Sequence, residues 1–341
     1  MNVAVFYPCR PYATTIDVTE GIVPNNVESL FPVVNYPPQN PSEGKREEFL
    51  RLLRDPAIDA LMVWRGGRID DDGSLWKTSL GLLNELDDKD WEEIKEHKKI
   101  IIGYSDASYL LCALLSHGIE CFYGPNYNSQ LQASNEEELK VTLEFLEKAI
   151  GSKKDYTISF KDKALTAGQN EPWVIHRGVA TGRLVGGNLH TIYDLLKNQG
   201  RSDLFSLREG DVLLLEEVGP FYWYENGVFK VEMIIEKMMN EKLNYLKEIG
   251  VFSKVSGVLF GRSKKPRIYD KAREIDLFFD DDYADNSLER RYFEECVLSA
   301  IPKGIPVLAN AACSHTHPMV TLPLGKEVTL NATECTLTIH I

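Results

Sequence analysis

The sequence contains little that would suit a metal centre, a membrane or a nucleic acid. Its six cysteines include no Cys-x-x-Cys pair and no metal-ligand spacing, which in a chain of 341 residues predicts reduced, mostly buried thiols. No apolar run reaches the length of a membrane span, and the chain opens on a strand pattern at 3–7 without a basic, apolar leader. The net charge of −13 disfavours a nucleic-acid backbone as the main partner. We therefore expect a soluble, cytoplasmic protein with no membrane or nucleic-acid partner.

What is present is an alternation of strand and helix patterns long enough for two domains. In the first half, apolar runs at 58–64 and 100–102 are separated by helical patterns, an order typical of a parallel α/β sheet with loops at the carboxyl ends of its strands. We expect an N-terminal α/β domain over residues 1–155, an interdomain crossing over 156–177 and a C-terminal β/α domain over 178–341.

The remaining patterns predict helices and strands of ordinary length. The stretch 270–285 is acidic and predicts a surface insertion, and 328–341 alternates as a terminal hairpin. Helical patterns occur at 45–54, 75–86, 91–97, 107–116, 136–150, 231–250 and 288–300, and further strand patterns at 33–34, 212–215, 255–260 and 306–308.

A serine stands at the junction between the strand pattern at 100–102 and the helical pattern at 107–116. The junction is Gly-Tyr-Ser-Asp at 103–106. In a nucleophile elbow, the sharp turn pushes the serine hydroxyl out of the backbone, and the amide of the next residue points at the same space. Ser105 is therefore a candidate nucleophile with the Asp106 amide beside it. The alternative is that Ser105 only caps the helix, because serine and aspartate are favoured at N-caps.

A serine nucleophile needs a base, so the seven histidines are the next candidates. His315 and His317 lie in Ser-His-Thr-His-Pro, after a strand pattern and therefore in a loop beyond a sheet edge, where sites are often built. The His-x-His spacing also suits two metal ligands, although no carboxylate or cysteine cluster beside it completes a zinc site. His176 and His190 remain candidates, whereas solvated, capping or strand positions account for His97, His117 and His340.

The sequence also offers candidates for the acid that orients the base and for the oxyanion donors. Glu216 and Glu217 end a strand pattern, and because neighbours on a strand point to opposite faces, at most one of them can face the histidine. An ordinary exposed carboxylate is the alternative. Gly66-Gly67 ends the neighbouring strand pattern and could bring a second backbone amide beside that of Asp106, although such a pair is common in α/β proteins.

Taken in order, these segments resemble the LD-carboxypeptidases, a family of serine peptidases whose branches include muropeptide carboxypeptidases and microcin C immunity proteins. The Ser-His-Thr-His-Pro-Met sequence around His315 is closer to the microcin-immunity branch. The similarity covers nearly the whole chain. It is carried by the segments 55–67, 103–106, 186–189, 215–217, 250–252 and 257–261, and by His315 with 322–325.

The resemblance implies a Ser-His-Glu triad spread over two domains. The N-terminal domain is expected to be Rossmann-like, similar to class I glutamine amidotransferases, and the C-terminal domain to be a swivelling β/α domain. By position, Ser105 matches the nucleophile, Glu216 the acid and His315 the histidine. Gly67 and Asp106 match the backbone donors of the oxyanion hole. The resemblance also implies a homodimer, and neither a metal nor an organic cofactor.

Two further residues are predicted to bind substrate. Asn188 lies in the matching segment 186–189, and Trp173, in the predicted crossing, could stack on a nucleotide-like leaving group or could simply pack. The chain departs from the family's common pattern at 7–9, where Tyr-Pro-Cys stands instead of a Pro-Ser, and at 68–73, where an acidic run replaces a small polar one.

We therefore expect a serine carboxypeptidase or amidase that hydrolyses an amide bond at the C-terminal end of a peptide–nucleotide of the microcin C type. Two alternatives remain: a muramoyltetrapeptide LD-carboxypeptidase of cell-wall recycling, and a non-catalytic binding protein on the same scaffold. The expected partner is thus a small peptide, a peptidyl-nucleotide or a muropeptide. A cysteine amidotransferase is disfavoured because Cys112 and Cys121 lie beyond the elbow, not in it.

Overall fold

A computed structural model describes most of the chain. Gly67, Cys9 and the 68–73 segment lie outside the described residues. No helix in the part that is described combines the length and the apolar character needed to cross a bilayer. The structure describes residues 1–6, 8, 33–35, 44–64, 66, 78–127, 129–132, 135–166, 170–217, 221–225, 228–230, 239–262, 267–270, 275–278 and 286–341.

The chain divides into two compact units whose segments alternate along the sequence. The domain boundaries expected near residues 155 and 178 stay a prediction. The first unit comprises Met1–Lys153, Val185–Ser206 and His317–Lys326, and the second comprises Lys154–Leu184, Leu207–Thr316 and Glu327–Ile341.

Strands and helices are labelled in chain order. The strands are β1 (Val3–Phe6), β2 (Val33–Asn35), β3 (Ala60–Val63), β4 (Ile100–Gly103), β5 (Cys121–Tyr123), β6 (Tyr156–Ser159), β7 (Trp173–His176), β8 (Val179–Asn188), β9 (Val212–Glu216), β10 (Phe221–Glu225), β11 (Val228–Lys230), β12 (Gly257–Gly261), β13 (Arg267–Asp270), β14 (Ile275–Phe278), β15 (Val307–Ala311), β16 (Leu322–Leu324), β17 (Glu327–Asn331) and β18 (Thr336–Ile339). The helices are α1 (Lys45–Arg54), α2 (Ser79–Leu83), α3 (Asp88–His97), α4 (Ser108–Ser116), α5 (Glu136–Gly151), α6 (Leu189–Tyr193), α7 (Asn240–Glu248), α8 (Val251–Lys254) and α9 (Asn286–Ala300).

The first unit is built on a sheet whose described strands have the order β16-β5-β4-β3-β1-β2. The strands β1 to β5 run parallel to their neighbours, and β16 closes one edge antiparallel to β5. β1, β3 and β4 are short apolar runs that are almost wholly buried, as expected of central strands in a parallel sheet. Helix α4 is buried over nearly its whole length. The predicted α/β class with a parallel sheet is confirmed.

The second unit carries a larger sheet, in which the described strands have the order β6-β18-β17-β8-β9-β12-β15-β7. β9, β12 and β15 are fully buried and pair in parallel. Their carboxyl ends therefore lie at the same edge of the sheet, which brings the ends of β9 and β12 and the loop after β15 together. β17 and β18 form the predicted terminal hairpin.

Several strands occur where the sequence analysis did not predict them. The expected crossing contains β6 and β7, which form the two edges of the larger sheet. β6 buries only Ile158, and β7 is four residues long, so neither gives a clear periodic signal. The acidic stretch 270–285 contains β14, which belongs to a separate sheet whose described strands have the order β11-β10-β13-β14. The helices predicted over 75–86 and 231–250 are described only as the shorter α2 and α7.

Candidate active site

Ser105 lies where β4 ends and a helix begins, in a strained backbone conformation. Its φ of +61° is in the left-handed region, which a non-glycine residue adopts only where the surrounding structure imposes it. A single 3₁₀ turn, Ser105–Ala107, leads directly into α4. Tyr104 and Ala107 occupy the N-cap positions of this turn and of α4, so Ser105 is not the capping residue. A strained, half-buried serine on a strand-to-helix turn is the geometry of a nucleophile elbow.

Small residues on both sides of Ser105 make room for the turn. A Cβ atom added to Gly103 would lie 2.8 Å from Ala107 Cβ and 2.9 Å from Val63 Cγ2, closer than carbon atoms can approach. Glycine two positions before the serine and alanine two positions after it therefore pack against each other. The sequence analysis missed Ala107, although small residues flanking the nucleophile at this spacing are part of the elbow pattern.

The backbone at Gly66 approaches Ser105 with no side chain between them. A Cβ atom added to Gly66 would lie 3.3 Å from Ser105 Oγ and 3.9 Å from the backbone nitrogen of Asp106. Such an approach suits amides that face the same space as the serine hydroxyl. Gly67, which was expected to supply the second amide, lies outside the described residues, so the pair of oxyanion donors stays a prediction.

The side chain of Asp106 fastens the elbow to helix α2. Its Oδ2 atom accepts hydrogen bonds from Ser79 N at 2.8 Å and from Ser79 Oγ at 2.5 Å. The carboxyl group is buried, and this burial raises its pKa to about 6, although the two bonds from Ser79 act in the opposite direction. Asp106 is thus connected to the fold through its side chain as well as through the backbone of the elbow.

In the second unit, Glu216 and His315 form a hydrogen-bonded pair. Glu216 is the last residue of β9, and its side chain is fully buried. Its Oε2 atom lies 2.8 Å from His315 Nδ1. Because a carboxylate can only accept, the imidazole proton is on Nδ1, and the Nε2 atom carries the lone pair of the ring. Glu217 has the opposite orientation, as strand alternation requires, and accepts a hydrogen bond from Lys242 Nζ.

Two residues that the sequence analysis missed support this pair. Ser314 Oγ donates to Glu216 Oε2 at 2.6 Å, so the carboxylate oxygen is held from two sides. A Cβ atom added to Gly261 would lie 2.8 Å from Ser314 Cβ and 2.9 Å from Glu216 Cβ. Only glycine fits at the end of β12 without displacing one of them. In the sequence, the only sign of this contact is the glycine that ends the Gly-Val-Leu-Phe-Gly of β12. In the structure, that glycine lies beside Glu216.

The other histidines and the thiol nearest to this pair are arranged differently. His176 is buried in β7, where its Nδ1 atom lies 3.1 Å from the backbone oxygen of Ile305. His317 is exposed. The Cys313 thiol is buried beside the pair, and burial raises its pKa, which makes it a poor nucleophile. Among the described residues, no group of three or more histidine, cysteine or acidic side chains could hold a metal ion.

Asn188 and Trp173 have structural contacts that do not involve a substrate. Asn188 is buried and caps α6, with its Oδ1 atom accepting from Thr191 N at 3.0 Å. Trp173 is 8% exposed in β7 and packs edge-on against Phe293, with ring centroids 5.5 Å apart. These contacts favour the packing alternative for Trp173. A substrate-binding role for either residue stays a prediction.

Comparison with known proteins places the chain among one group of enzymes. Residues 34–124 match the LD-carboxypeptidase N-terminal domain, and residues 181–330 match the LD-carboxypeptidase C-terminal domain. The microcin C7 self-immunity protein MccF of Escherichia coli is 28% identical over 305 residues, which cover 84% of this chain and 75% of that protein.

Solved structures show the same fold. A structure of MccF in complex with aspartyl sulfamoyl adenosine has a TM-score of 0.72 at 23% identity and covers 100% of this chain and 96% of its own. The MccF-like protein from Bacillus anthracis has a TM-score of 0.73 at 22% identity and covers 99% of this chain and 96% of its own. At this level of identity, the two structures bear on the fold alone.

Proposed function

The chain belongs to the LD-carboxypeptidase family of serine-type carboxypeptidases, and from this premise we propose that it hydrolyses the acyl–nitrogen bond between an amino acid or peptide and a nucleotide-like leaving group. The reaction is acyl transfer to a serine followed by transfer to water. It needs a nucleophile, a base and donors for the developing oxyanion.

Ser105 is the proposed nucleophile. Its Oγ atom attacks the acyl carbon while His315 Nε2 accepts the hydroxyl proton, and Glu216 stabilises the resulting imidazolium. The backbone amides of Gly67 and Asp106 donate to the oxyanion. His315 then returns the proton to the leaving nitrogen, the carbon–nitrogen bond breaks, and water hydrolyses the ester on Ser105 by the same sequence of transfers.

The observation that carries this proposal is the hydrogen bond of 2.8 Å from His315 Nδ1 to the buried carboxylate of Glu216. A histidine whose second nitrogen is fixed to a buried carboxylate has a defined tautomer and a defined orientation. A histidine exposed in a surface loop, with no such partner, would have neither a defined tautomer nor a defined orientation. The elbow geometry of Ser105 supports the same chemistry from the other unit of the chain.

The leaving group is proposed from the relatives. MccF is named as a microcin C7 self-immunity protein, and solved structures of MccF contain aspartyl sulfamoyl adenosine and glutamyl sulfamoyl guanosine. In both compounds, an acidic amino acid is joined through an acyl–nitrogen bond to a sulfamoyl nucleoside. We propose that this chain accepts the same class of substrate.

A turnover assay on the full chain tests the proposal. Purified protein is offered aspartyl sulfamoyl adenosine and a muropeptide tetrapeptide in parallel, and the released sulfamoyl nucleoside or amino acid is separated and quantified. We expect turnover of the nucleoside compound, its loss in Ser105→Ala, and its retention in the matched control Ser116→Ala on α4. Unchanged turnover in Ser105→Ala would remove Ser105 from the mechanism.

The same assay separates the alternatives. Turnover of the muropeptide alone would replace the proposed substrate class with cell-wall peptides. Binding of the nucleoside compound without turnover of either compound would support a non-catalytic binding protein. Either result contradicts the proposal.

A further inference from the structure

A buried cation, Arg262, follows β12 at the edge of the sheet that carries Glu216, and within the described part of the chain it makes no ion pair. Arg262 is 6% exposed. Its hydrogen-bond acceptors among the described residues are all neutral, and its Nε atom has no hydrogen-bond partner among them. Burial lowers its pKa to about 10, which still leaves the guanidinium charged at neutral pH. A buried charge without an ion pair is costly, so this one calls for an explanation.

The guanidinium joins separate segments of the second unit. Its Nη1 atom donates to Thr316 Oγ1 at 3.3 Å. Its Nη2 atom donates to the backbone oxygens of Leu165 at 3.0 Å and Asn170 at 2.8 Å, and lies 3.5 Å from that of Asn310 at the end of β15. Arg262 therefore ties the loop after β15 to the segment that leads into β7.

The loop after β15 is the one that carries His315. Ser314, on one side of His315, donates to Glu216. Thr316, on the other side, accepts from Arg262. The two neighbours of the histidine are thus held by two different side chains, and the imidazole between them is itself bonded to Glu216.

We propose that Arg262 is a positioning residue, whose guanidinium fixes the loop that carries His315 so that the imidazole stays aligned with Glu216. The inference rests on the proposed role of His315 as the base. This role also explains why the hydrogen-bond partners of Arg262 are neutral. A guanidinium has five donors in a rigid fork and can hold several backbone oxygens at once, which an apolar side chain of the same size cannot do.

Three variants test the proposal. Arg262→Met removes the donors and keeps much of the volume, Arg262→Lys keeps the charge but not the fork, and Thr316→Val removes only the acceptor next to His315. Arg183→Met is the matched control, because Arg183 makes a two-pronged ion pair with Asp211 in the same unit, at 3.2 and 2.8 Å. Each variant is assayed for kcat and KM on aspartyl sulfamoyl adenosine and for thermal unfolding.

A second measurement does not depend on turnover. We expect the Nδ1 proton shared with Glu216 to give a low-field proton resonance in the NMR spectrum of the intact protein, and Glu216→Gln should identify it by shifting or removing it. Loss or broadening of this resonance in Arg262→Met reports on the position of His315 whether or not the chosen substrate is the right one.

We expect kcat to fall about 100-fold in Arg262→Met with KM nearly unchanged, because a shift of the order of 1 Å in a catalytic group costs about that much. Arg262→Lys should recover part of this loss, and Thr316→Val should lower kcat about 10-fold, the effect of one hydrogen bond. Arg183→Met should melt earlier at unchanged kcat. The low-field resonance should be lost in Arg262→Met and kept in Arg183→Met.

The proposal is overturned if folded Arg262→Met and Thr316→Val both keep the low-field resonance and the wild-type kcat. If Arg262→Met does not fold, Thr316→Val and Arg262→Lys decide by the same criteria. Failure of the wild-type protein to turn over either substrate would contradict the proposed function instead, and the resonance would still show whether Arg262 positions His315.

Discussion

The two proposed catalytic residues, Ser105 and His315, are positioned by different means. In the first unit, Ser105 is placed by its backbone, which has a φ of +61° and is packed so closely that residue 103 must be glycine. In the second unit, His315 is placed by side chains, through bonds that connect it and its neighbours to Glu216 and Arg262. The conformation of the turn at Ser105 requires that Gly103 has no side chain. The position of His315 requires hydrogen-bond donors and acceptors on the side chains around it.

This difference determines how each residue's surroundings should respond to substitution. The turn that places Ser105 is local, since it is formed mostly by residues 103–107. The addition of a single carbon atom there should cause a large loss of activity in one step. A side-chain network joins residues that are 98 and 99 positions apart, and it should lose function in steps as single partners are removed.

The largest effect is expected when the base itself is removed. His315→Ala should lower kcat by roughly 10⁴–10⁶-fold, and Glu216→Gln by about 10⁴-fold, because the amide cannot stabilise the imidazolium. Both should leave the elbow intact. Steady-state turnover measures the loss of kcat, and thermal unfolding checks that both variants stay folded. A loss below about tenfold in His315→Ala would remove the histidine from the proposed mechanism.

The next effect compares the two glycines. Gly103→Ala and Gly261→Ala each place a Cβ atom within 2.9 Å of two other atoms, and each should cost about 1–3 kcal/mol of unfolding free energy. Gly103→Ala should lower the activity of the serine and keep the low-field resonance of His315, whereas Gly261→Ala should lose that resonance. The contrast drawn here is wrong if both variants affect the resonance equally.

Much of the surroundings of Ser105 could be predicted from the sequence because the signal is local. A β-branched strand, a Gly-x-Ser-Asp turn and an apolar helix follow one another within residues 100–116, and in the structure Ser105 lies between β4 and α4. The parallel class of the sheet follows from the same alternation. The short edge strands β6 and β7 could not be predicted, because their pairing partners lie far along the chain and decide their conformation.

The surroundings of His315 could be predicted only in part. From the residues alone, Glu216 and Glu217 were equal candidates and an ordinary exposed carboxylate was the better interpretation, so the choice of Glu216 and His315 came from the resemblance to a family. Ser314 and Arg262 could not be found in this way. A serine next to a histidine and an arginine after a strand are ordinary, and only the folded sheet shows which carboxylate or carbonyl each one meets.

A smaller effect concerns the pH dependence of stability at the elbow. The pKa of Asp106 is raised to about 6 by burial, from an ordinary value of 3.8. A carboxyl group with a raised pKa binds its proton more tightly in the folded state than in the unfolded state. Its contribution is therefore most favourable below pH 4 and is lost as the pH rises to about 6, by roughly 3 kcal/mol in all.

Asp106→Asn removes this titration. The difference in unfolding free energy between the variant and the wild type, measured by urea unfolding at several pH values, should shift in favour of the variant by about 2 kcal/mol between pH 4 and pH 7. Weakening of the bonds to Ser79 in the variant changes this difference by the same amount at every pH. Ser79→Ala is the control, since it removes one donor and keeps the titratable group. A pH-independent difference between Asp106→Asn and the wild type would show that Asp106 is not the group that titrates.

The smallest effect is expected from the removal of one hydrogen bond in the side-chain network. In Ser314→Ala, Glu216 keeps its bond to His315 but loses the donor at 2.6 Å, so the carboxylate is held from one side only. We expect kcat to fall about 10-fold at nearly unchanged KM, with a loss of about 1 kcal/mol in unfolding free energy. Ser299→Ala, which removes a hydroxyl bonded to the backbone oxygen of Cys296 at 2.8 Å, is the control for loss of a serine bond outside the site. Equal kcat in the two variants would mean that the network does not lose function in steps. The Ser105 turn and the His315 network would then differ in how they are built but not in how they respond to substitution.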